Sequence, residues 1–290
     1  GRCRNARVRH SGEVCVTIFP ALMRYVPKQP REGINVSDTH PLVEAGTLVV
    51  GLTAIFMAVV LALVFLVEVA LYFIPAEKEA ELFRDWLPDD LVTVSPGDAR
   101  LRQTQLLADR LVFHWGESPY EFRVEIDDSE SANAMALPGG LIIVTQGLLD
   151  KVESENELAF VLGHELGHYR NRDHIRALGR GIVLSLFFSV ATGSDAAGLG
   201  LKVSDLALRS FSRKQESRAD EFALAMVYTQ YGHVNEAWRL FERWEDDESF
   251  RELVPYLSTH PQAGDRVDSL EALALRENWP TSGRVTALRW

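Results

Sequence analysis

The chain has 290 residues, of which 47% are hydrophobic and 24% are charged, and its formal net charge is −11 at pH 7. This composition fits a folded protein with one sizeable core and excludes a disordered or fibrous chain. The first 45 residues are basic overall, so the acidic excess lies in the rest of the chain and argues against a nucleic-acid partner.

The N-terminal tail is followed by a long uncharged segment. Residues 46–67, GTLVVGLTAIFMAVVLALVFLV, contain no charged side chain. A helix that rises about 1.5 Å per residue crosses a hydrocarbon core of roughly 30 Å with this length. We therefore expect a partly ordered tail at 1–45, a single transmembrane helix in the lipid bilayer at 46–74 and a juxtamembrane segment at 75–96. The basic tail favours an orientation with the N-terminus inside.

The remaining residues, 97–290, predict one α+β domain that is mainly helical and contains a small sheet. DARLRQTQLLADRLVFHW has leucines near helical spacing, and its core-facing side chains are expected to be Leu101, Leu106, Leu107, Leu111 and Val112. Three strands are predicted in YEFRVEID, NAMALP and GGLIIVTQGLL, the last two joined by Pro-Gly-Gly.

Helices are predicted for most of the sequence that follows. SENELAFVLGHELGHYRNR begins with Ser154, and Glu157 three residues later completes the pattern of a capping box. The apolar run in GIVLSLFFSVATG is too short for a second span, so we expect a buried or membrane-leaning helix, with a re-entrant hairpin as the alternative. Three further helices are predicted in SRKQESRADEFALAMVYTQ, VNEAWRLFERWEDD and RVDSLEALALREN.

The HELGH pattern carries the strongest chemical signal. Residues four apart share one face of a helix, so His164 and His168 can direct their imidazoles at one zinc ion per chain. Glu165 lies beside them and can act as general base toward a metal-activated water. Gly163 and Gly167 cost helix propensity and predict that another backbone or a substrate comes close to this helix.

Two residues compete for the position of third metal ligand. His174 lies six residues after His168, as in the metzincin pattern, and the downstream LAMVY resembles a Met-turn. Glu216 lies four residues before Asp220, so Glu216 can bind the metal while Asp220 accepts the second ring proton of a ligating histidine. We favour Glu216, because LAMVY continues a helix without any turn residue.

These patterns together resemble the membrane-associated zinc metallopeptidases of the CAAX prenyl protease and HtpX type. Four blocks carry the resemblance, and they occur in order: NAMALPGGLIIVTQGLL, ENELAFVLGHELGH, SRKQESRADEFAL and STHPQAGDRV. The resemblance implies a zincin-like domain in which His164, His168 and Glu216 bind zinc and Glu165 is the base.

The resemblance also implies where a substrate binds. It implies an open strand edge to which an extended polypeptide adds as a further strand, formed by Asn133, Ala134, Met135 and Ala136. It places His260 and Arg266 near the cleft, where His260 stabilises the oxyanion or gates the zinc. From the residues alone, His260 fits a surface loop equally well.

The expected function is that of a membrane-anchored zinc endopeptidase in protein quality control. Its substrates are expected to be extended or misfolded polypeptides, including membrane and envelope proteins. The expected location is a bacterial inner membrane with the catalytic domain on the periplasmic side. The alternatives are a non-catalytic, chaperone-like protein that holds clients on the same fold, and a metzincin that uses His174.

Overall fold

The structure, a computed structural model, describes residues 39–83, 98–192, 211–246, 260 and 264–290. Most of the expected tail and parts of the predicted juxtamembrane segment and hairpin lie outside the described residues, so the expectations for them stay predictions. The chain divides into two compact units, residues 1–52 and 53–290. The side chains of the predicted metal site all belong to the second unit.

Helix α1, Pro41–Phe73, contains the predicted membrane segment. It has 33 residues and none of its side chains is buried. A helix that exposes apolar side chains on every face is stable in lipid, where its backbone groups are satisfied internally. Among the described helices, α1 is the one with the length and composition to cross a bilayer. The protein is therefore membrane-localised.

Helices account for most of the remaining described chain. After Pro75 come α2 (Ala76–Phe83), α3 (Ala99–Trp115), α4 (Gln146–Leu149), α5 (Glu155–Arg170), α6 (Asp173–Thr192), α7 (Arg213–Tyr231), α8 (Arg239–Asp246) and α9 (Gly264–Arg276). The HELGH pattern lies in α5, whose central residues are buried. The mainly helical α+β fold is confirmed.

Three strands form a small mixed sheet in the order β1-β3-β2. Its strands are β1 (Arg123–Asp127), β2 (Ala134–Leu137) and β3 (Leu141–Thr145). Strand β3 is central, parallel to β1 and antiparallel to β2. The third predicted strand, GGLIIVTQGLL, was too long at its end. The Thr145 side chain accepts the Leu148 N–H and caps α4, which turns the chain out of the sheet.

The two edges of this sheet differ. At the β1 edge, the Gln105 side chain of α3 accepts the Val124 N–H at 2.7 Å, so this edge is covered. At the other edge, β2 has no strand partner besides β3 among the described residues. Because the Asn133 backbone pairs with β3, the alternation of an antiparallel ladder directs the backbone groups of Ala134 and Ala136 outward.

Two further local predictions need correction. Leu106 was expected to face the core, but its side chain is 54% exposed while Leu107 is buried, because the apolar stripe of α3 is narrower than predicted. The capping box is also incomplete. Ser154 accepts the Glu157 N–H at 3.2 Å as predicted, but the Glu157 carboxylate accepts the Glu153 N–H.

Helices α5 and α7 pack closely at two glycines of the HELGH helix. A Cβ atom at Gly163 would lie 3.0 Å from the Ala223 Cα, and one at Gly167 would lie 2.8 Å from the Ala219 Cα. The expected close approach is thus confirmed, with α7 as the neighbour. It brings the two histidines of α5 opposite the two acids of α7.

An extended C-terminal segment, residues 277–290, packs against the start of α5. The Thr286 carbonyl accepts the Glu155 N–H at 2.9 Å. The Thr286 N–H donates to the Asn156 side chain at 2.9 Å, across 130 positions of sequence. These bonds satisfy groups in the first turn of α5, where helix N–H groups have no partner within the helix.

Candidate metal centre

Four buried donor side chains converge between α5 and α7. His164 and His168 come from α5, Glu216 from the first turn of α7, and His260 from the chain before α9; one donor atom from each lies within 4.8 Å of the others. Each of these side chains is at most 3% exposed. The structure thus places the three predicted ligands together and adds His260 to the group.

The distances between the donor atoms fit a single metal ion. The Nε2 atoms of His164 and His168 are 3.1 Å apart. The Glu216 carboxylate oxygens lie 3.4 Å from the His164 Nε2 and 3.6 Å from the His168 Nε2. Donor atoms at about 2.0–2.1 Å from a tetrahedral ion are about 3.3 Å from one another. The described side chains therefore have the spacing and the chemistry of a metal site.

Buried negative charge around the donors also favours a cation. Asp173, Glu216 and Asp220 are all buried; Arg266 contacts the last two, and Arg176 and Arg218 lie 3.6 and 3.5 Å from Asp173. Although burial alone would raise the pKa of Glu216, hydrogen bonds with His164 and His260 hold it well below its ordinary value. Glu216 is therefore a carboxylate, the form that binds metal.

Asp220 fixes the ring of His164 from the side opposite the other donors. Its Oδ1 lies 2.8 Å from the His164 Nδ1. Arg266 donates to the same carboxylate from Nε at 2.9 Å and from Nη2 at 2.5 Å, and its guanidinium lies 4.4 Å from the centre of the Phe241 ring. Burial would lower the pKa of His164, but Asp220 and Glu216 raise it to about 9.

Asp173 contacts the other imidazole, and the sequence reasoning missed it. Its Oδ2 lies 3.3 Å from the His168 Nδ1, and its Oδ1 accepts from the Gln215 side chain at 2.7 Å. Burial lowers the pKa of His168, so this ring is neutral and its Nε2 can bind a metal ion. The available signal was an acid three residues after the end of the HELGH helix, next to the competing ligand candidate His174.

Glu165 lies beside the donor group with its carboxylate buried. Its oxygens accept no hydrogen bond in normal geometry from the described groups, and the His260 Nε2 is 3.7 Å away. Burial raises the pKa of Glu165 to about 7, while the charge of His164 and the nearby Ala136 amide oppose the rise. Such a carboxyl group can take up and release a proton near neutral pH.

His260 lies inside the donor group. Its Nδ1 is 3.1 Å from the His164 Nε2 and 3.1 Å from a Glu216 oxygen. Burial lowers the pKa of His260 to about 3, so the ring is neutral and offers a fourth donor atom. Arg266 contacts Asp220 and Glu216 behind the ligands. Roles for these two residues in catalysis stay predictions.

The predicted substrate strand lies next to Glu165. Residues 134–136 belong to the edge strand β2, where Ala134 and Ala136 are buried and Met135 is half-buried, and Asn133 precedes it with its backbone paired to Thr145. The backbone amide of Ala136, in this strand, lowers the pKa of Glu165. Substrate binding at this edge stays a prediction.

His174, the competing third ligand, lies outside the donor group. Its Nε2 is 2.6 Å from a carboxylate oxygen of Glu79 in α2. Helix α7 continues without a break through LAMVY, and Met226 is buried in the core. The segment that resembled a Met-turn is therefore the middle of a helix.

Comparisons with known proteins agree with this geometry. Residues 100–274 match the profile of peptidase family M48. The mitochondrial metalloendopeptidase OMA1 of Danio rerio is 31% identical over 220 residues, which cover 68% of this chain and 45% of the relative.

Two bacterial proteins are also similar to this chain. A putative beta-barrel assembly-enhancing protease of Vibrio cholerae is 28% identical over 170 residues, covering 53% of this chain and 35% of the relative. The metalloprotease LoiP of Escherichia coli is 28% identical over 148 residues, covering 48% of this chain and 57% of the relative. The chain thus spans about half the length of these relatives, or less.

Proposed function

Since the chain belongs to peptidase family M48, we propose that it is a membrane-anchored zinc endopeptidase that cleaves extended or misfolded polypeptides in protein quality control. The observation that carries this proposal is the buried group of His164, His168 and Glu216 with Glu165 beside it. The relatives named as metalloendopeptidases or proteases support it.

His164, His168 and Glu216 would hold one zinc ion per chain. Two imidazoles and a carboxylate are the ligands of a common class of catalytic zinc site. Zinc bound there would lower the pKa of a water and polarise the carbonyl of the scissile bond. Asp220, supported by Arg266, keeps the His164 ring in the orientation that presents its Nε2.

Glu165 transfers the proton. Its carboxylate accepts a proton from the attacking water and returns that proton to the leaving amine when the peptide bond breaks. The buried position of Glu165 suits this task, because its oxygens accept no well-formed hydrogen bond from the described groups and so stay available.

His260 controls access to the site. Its Nδ1 occupies the position of a fourth metal ligand. Catalytic zinc sites keep one such position open for water and substrate. His260 therefore has to move aside before a substrate enters, and its displaced ring can then stabilise the oxyanion. Arg266 lies at the same cleft and holds the charge of Asp220 in place.

An extended substrate adds to the edge of β2 that has no further strand among the described residues, at Asn133, Ala134, Met135 and Ala136. Main-chain hydrogen bonds supply most of the affinity in such strand addition, so many sequences can bind as long as they are unfolded. Ala136 adjoins Glu165, so a bound strand passes beside the base. This arrangement favours misfolded clients over folded ones.

We place the protein as a single-pass protein of a bacterial inner membrane with its catalytic domain in the periplasm. The basic N-terminal tail supports this orientation. The name of the Vibrio cholerae relative refers to β-barrel assembly, which supports envelope proteins as substrates. A topology reporter fused after Trp290 tests the orientation: activity of the reporter on the cytoplasmic side would contradict it.

The decisive experiment is Glu165→Gln in the full chain. We expect one zinc per chain to remain and the cleavage of unfolded casein to fall at least about 100-fold, the usual contribution of a general base. Glu216→Ala should lose both zinc and cleavage, whereas His174→Ala should still contain one zinc per chain, because His174 is not a ligand. Undiminished cleavage by Glu165→Gln would contradict the proposal, and a zinc-loaded wild type that prevents casein aggregation without cleaving it would favour the chaperone-like alternative.

A further inference from the structure

The turn between α5 and α6 connects the metal centre with the membrane-proximal part of the chain. Three consecutive residues, Arg172, Asp173 and His174, lie in this turn and at the start of α6. Arg172 has a φ of 56°, in the left-handed region that non-glycine residues seldom adopt. This backbone geometry directs neighbouring side chains to different parts of the molecule.

Asp173 points toward the metal centre. Its carboxylate is fully buried and contacts the His168 Nδ1 at 3.3 Å. The Gln215 side chain donates to the same carboxylate at 2.7 Å and holds it from α7. A carboxylate on the outer nitrogen of a ligating imidazole fixes the tautomer and the orientation of that ring.

Arg172 points the other way, to the end of the membrane helix. Its Nη1 donates to the carbonyls of Leu71 at 2.7 Å and Ile74 at 2.6 Å. These carbonyls lie at the C-terminal end of α1, where helix carbonyls lack partners within the helix. Its Nε donates to the Glu79 carboxylate of α2 at 2.7 Å. One guanidinium thus joins the turn to α1 and α2.

Glu79 completes this connection from α2. Its side chain is 2% exposed and accepts hydrogen bonds from Arg172, from His174 at 2.6 Å and from the Tyr120 hydroxyl at 3.0 Å. A buried carboxylate with this many partners defines one arrangement of the groups around it, because any other leaves a charge unpaired. We call Arg172, Glu79 and His174 the anchor clasp.

From this geometry we propose that Asp173 is a positioning residue for His168, and that the anchor clasp couples Asp173 to α2 and to the end of the membrane helix. The inference rests on the proposed zinc site. It assigns the membrane-proximal segment a part in metal binding in addition to attachment.

The first test measures the zinc affinity of the full chain in detergent, by competition with a chromophoric chelator. Asp173→Asn should bind zinc 10- to 100-fold more weakly, the usual effect of losing such a partner. Glu157→Gln is the matched control, because Glu157 is also a buried carboxylate paired with an arginine, Arg243, but lies at the opposite end of α5. That variant should bind zinc like the wild type. An Asp173→Asn affinity within about twofold of the wild type would overturn the proposal.

The second test examines the coupling. Glu79→Gln should weaken zinc binding in the same direction as Asp173→Asn but by less, since Gln215 still holds Asp173. Lys78→Gln, in the same short helix and exposed, should leave the affinity unchanged. A zinc affinity equal to that of the wild type in Glu79→Gln would contradict the coupling through the anchor clasp.

A measurement on the unaltered chain covers the case in which Asp173→Asn fails to fold. In the zinc-loaded protein, the proton on the His168 Nδ1 should give a nitrogen-15-coupled signal that exchanges slowly with water, because Asp173 accepts it. Fast exchange of that proton would contradict the role of Asp173.

These outcomes separate the inference from the proposed function. A wild type that binds zinc but cleaves no polypeptide would overturn the proposed function and leave the role of Asp173 intact. Unchanged zinc affinity in Asp173→Asn would overturn the role of Asp173 and leave the protease intact. A wild type that binds no zinc would overturn both.

Discussion

The two imidazoles of the metal centre are held by different parts of the molecule. The partner of His164 is Asp220, at 2.8 Å, which lies on α7 and is bound twice by Arg266. The partner of His168 is Asp173, at 3.3 Å, in the turn that contacts α1 and α2. One half of the centre therefore depends on packing inside the domain, and the other also depends on the junction with the membrane segment.

This difference divides the metal centre into two halves. In the fixed half, Asp220 and Arg266 hold His164; in the adjustable half, Asp173 holds His168. Asp220 and Arg266 lie in the core, where side chains are close-packed and movement is costly. Asp173 lies next to Arg172, which contacts the end of α1 and α2, so a change at the anchor clasp can reach it. Substitutions on each side test this comparison.

The largest effect is expected on the fixed half, from Asp220→Ala. The change leaves the buried guanidinium of Arg266 without its main partner, which costs about 3–5 kcal/mol of unfolding free energy. Urea denaturation of the metal-free chain measures this loss. The double variant Asp220→Ala/Arg266→Met should recover part of the stability, because no unpaired charge remains. A loss below about 1 kcal/mol in the single variant would show that Asp220 and Arg266 do not fix this half of the centre.

The next largest effect is expected at the α5–α7 contact that both halves share. Gly167→Ala places a methyl group 2.8 Å from the Ala219 Cα, and the overpacking should cost about 1–3 kcal/mol despite the better helix propensity of alanine. Gly163→Ala, at 3.0 Å from the Ala223 Cα, should cost less. Thermal unfolding compares the two, and equal or increased stability in Gly167→Ala would contradict the close contact.

A smaller effect is expected on the adjustable half, from Glu79→Gln. The variant weakens three hydrogen bonds to a buried charge and should lose about 2 kcal/mol at neutral pH. Burial alone would raise the pKa of Glu79, but His174 and Arg172 lower it below its ordinary value. The stability that the carboxylate adds is therefore present above the ordinary carboxyl pKa and is lost as the pH falls through the lowered one.

Unfolding measured over a range of pH tests this dependence. The difference in unfolding free energy between wild type and Glu79→Gln should narrow on acidification. A constant difference from neutral to acidic pH would mean that the charge of Glu79 does not stabilise the junction.

The smallest effect is expected outside both halves, from Ser154→Ala. The side chain caps the N-terminus of α5, and its removal should cost about 1 kcal/mol. Zinc affinity should stay at the wild-type value, because the cap is far from both imidazoles. Urea denaturation and chelator competition on the same preparation check both statements; a weakened zinc affinity would show that the start of α5 also affects the centre.

Local sequence patterns predicted the elements of the fold and much of the centre. The i, i+4 spacing of His164 and His168 and of Glu216 and Asp220 places each pair on one helix face, so no tertiary information was required. The sheet was predicted from alternation and from the Pro-Gly-Gly turn, and all three strands are present. Gly163 and Gly167 indicated a close neighbour without identifying it.

The remaining features depend on contacts between residues distant in sequence. Glu79 shares α2 with Glu77 and Glu81, and no local pattern distinguishes the buried acid from the exposed ones. Asp173 matters because of where the turn places it, and a single charged residue after a helix is common. The limits of a strand or an apolar stripe, as at Leu106, are set by the neighbours that cover them.

The packing of residues 277–290 against α5 also has a consequence for the timing of folding during synthesis. Two groups in the first turn of α5, next to the Ser154 cap, gain their partners only when Thr286 binds Glu155 and Asn156. Translation delivers Thr286 130 residues after Asn156, and contacts of such sequence separation form late. A nascent chain that has just released the HELGH sequence from the ribosome therefore lacks these two hydrogen bonds. The last bonds at the start of the metal-binding helix form after synthesis of the segment that supplies them.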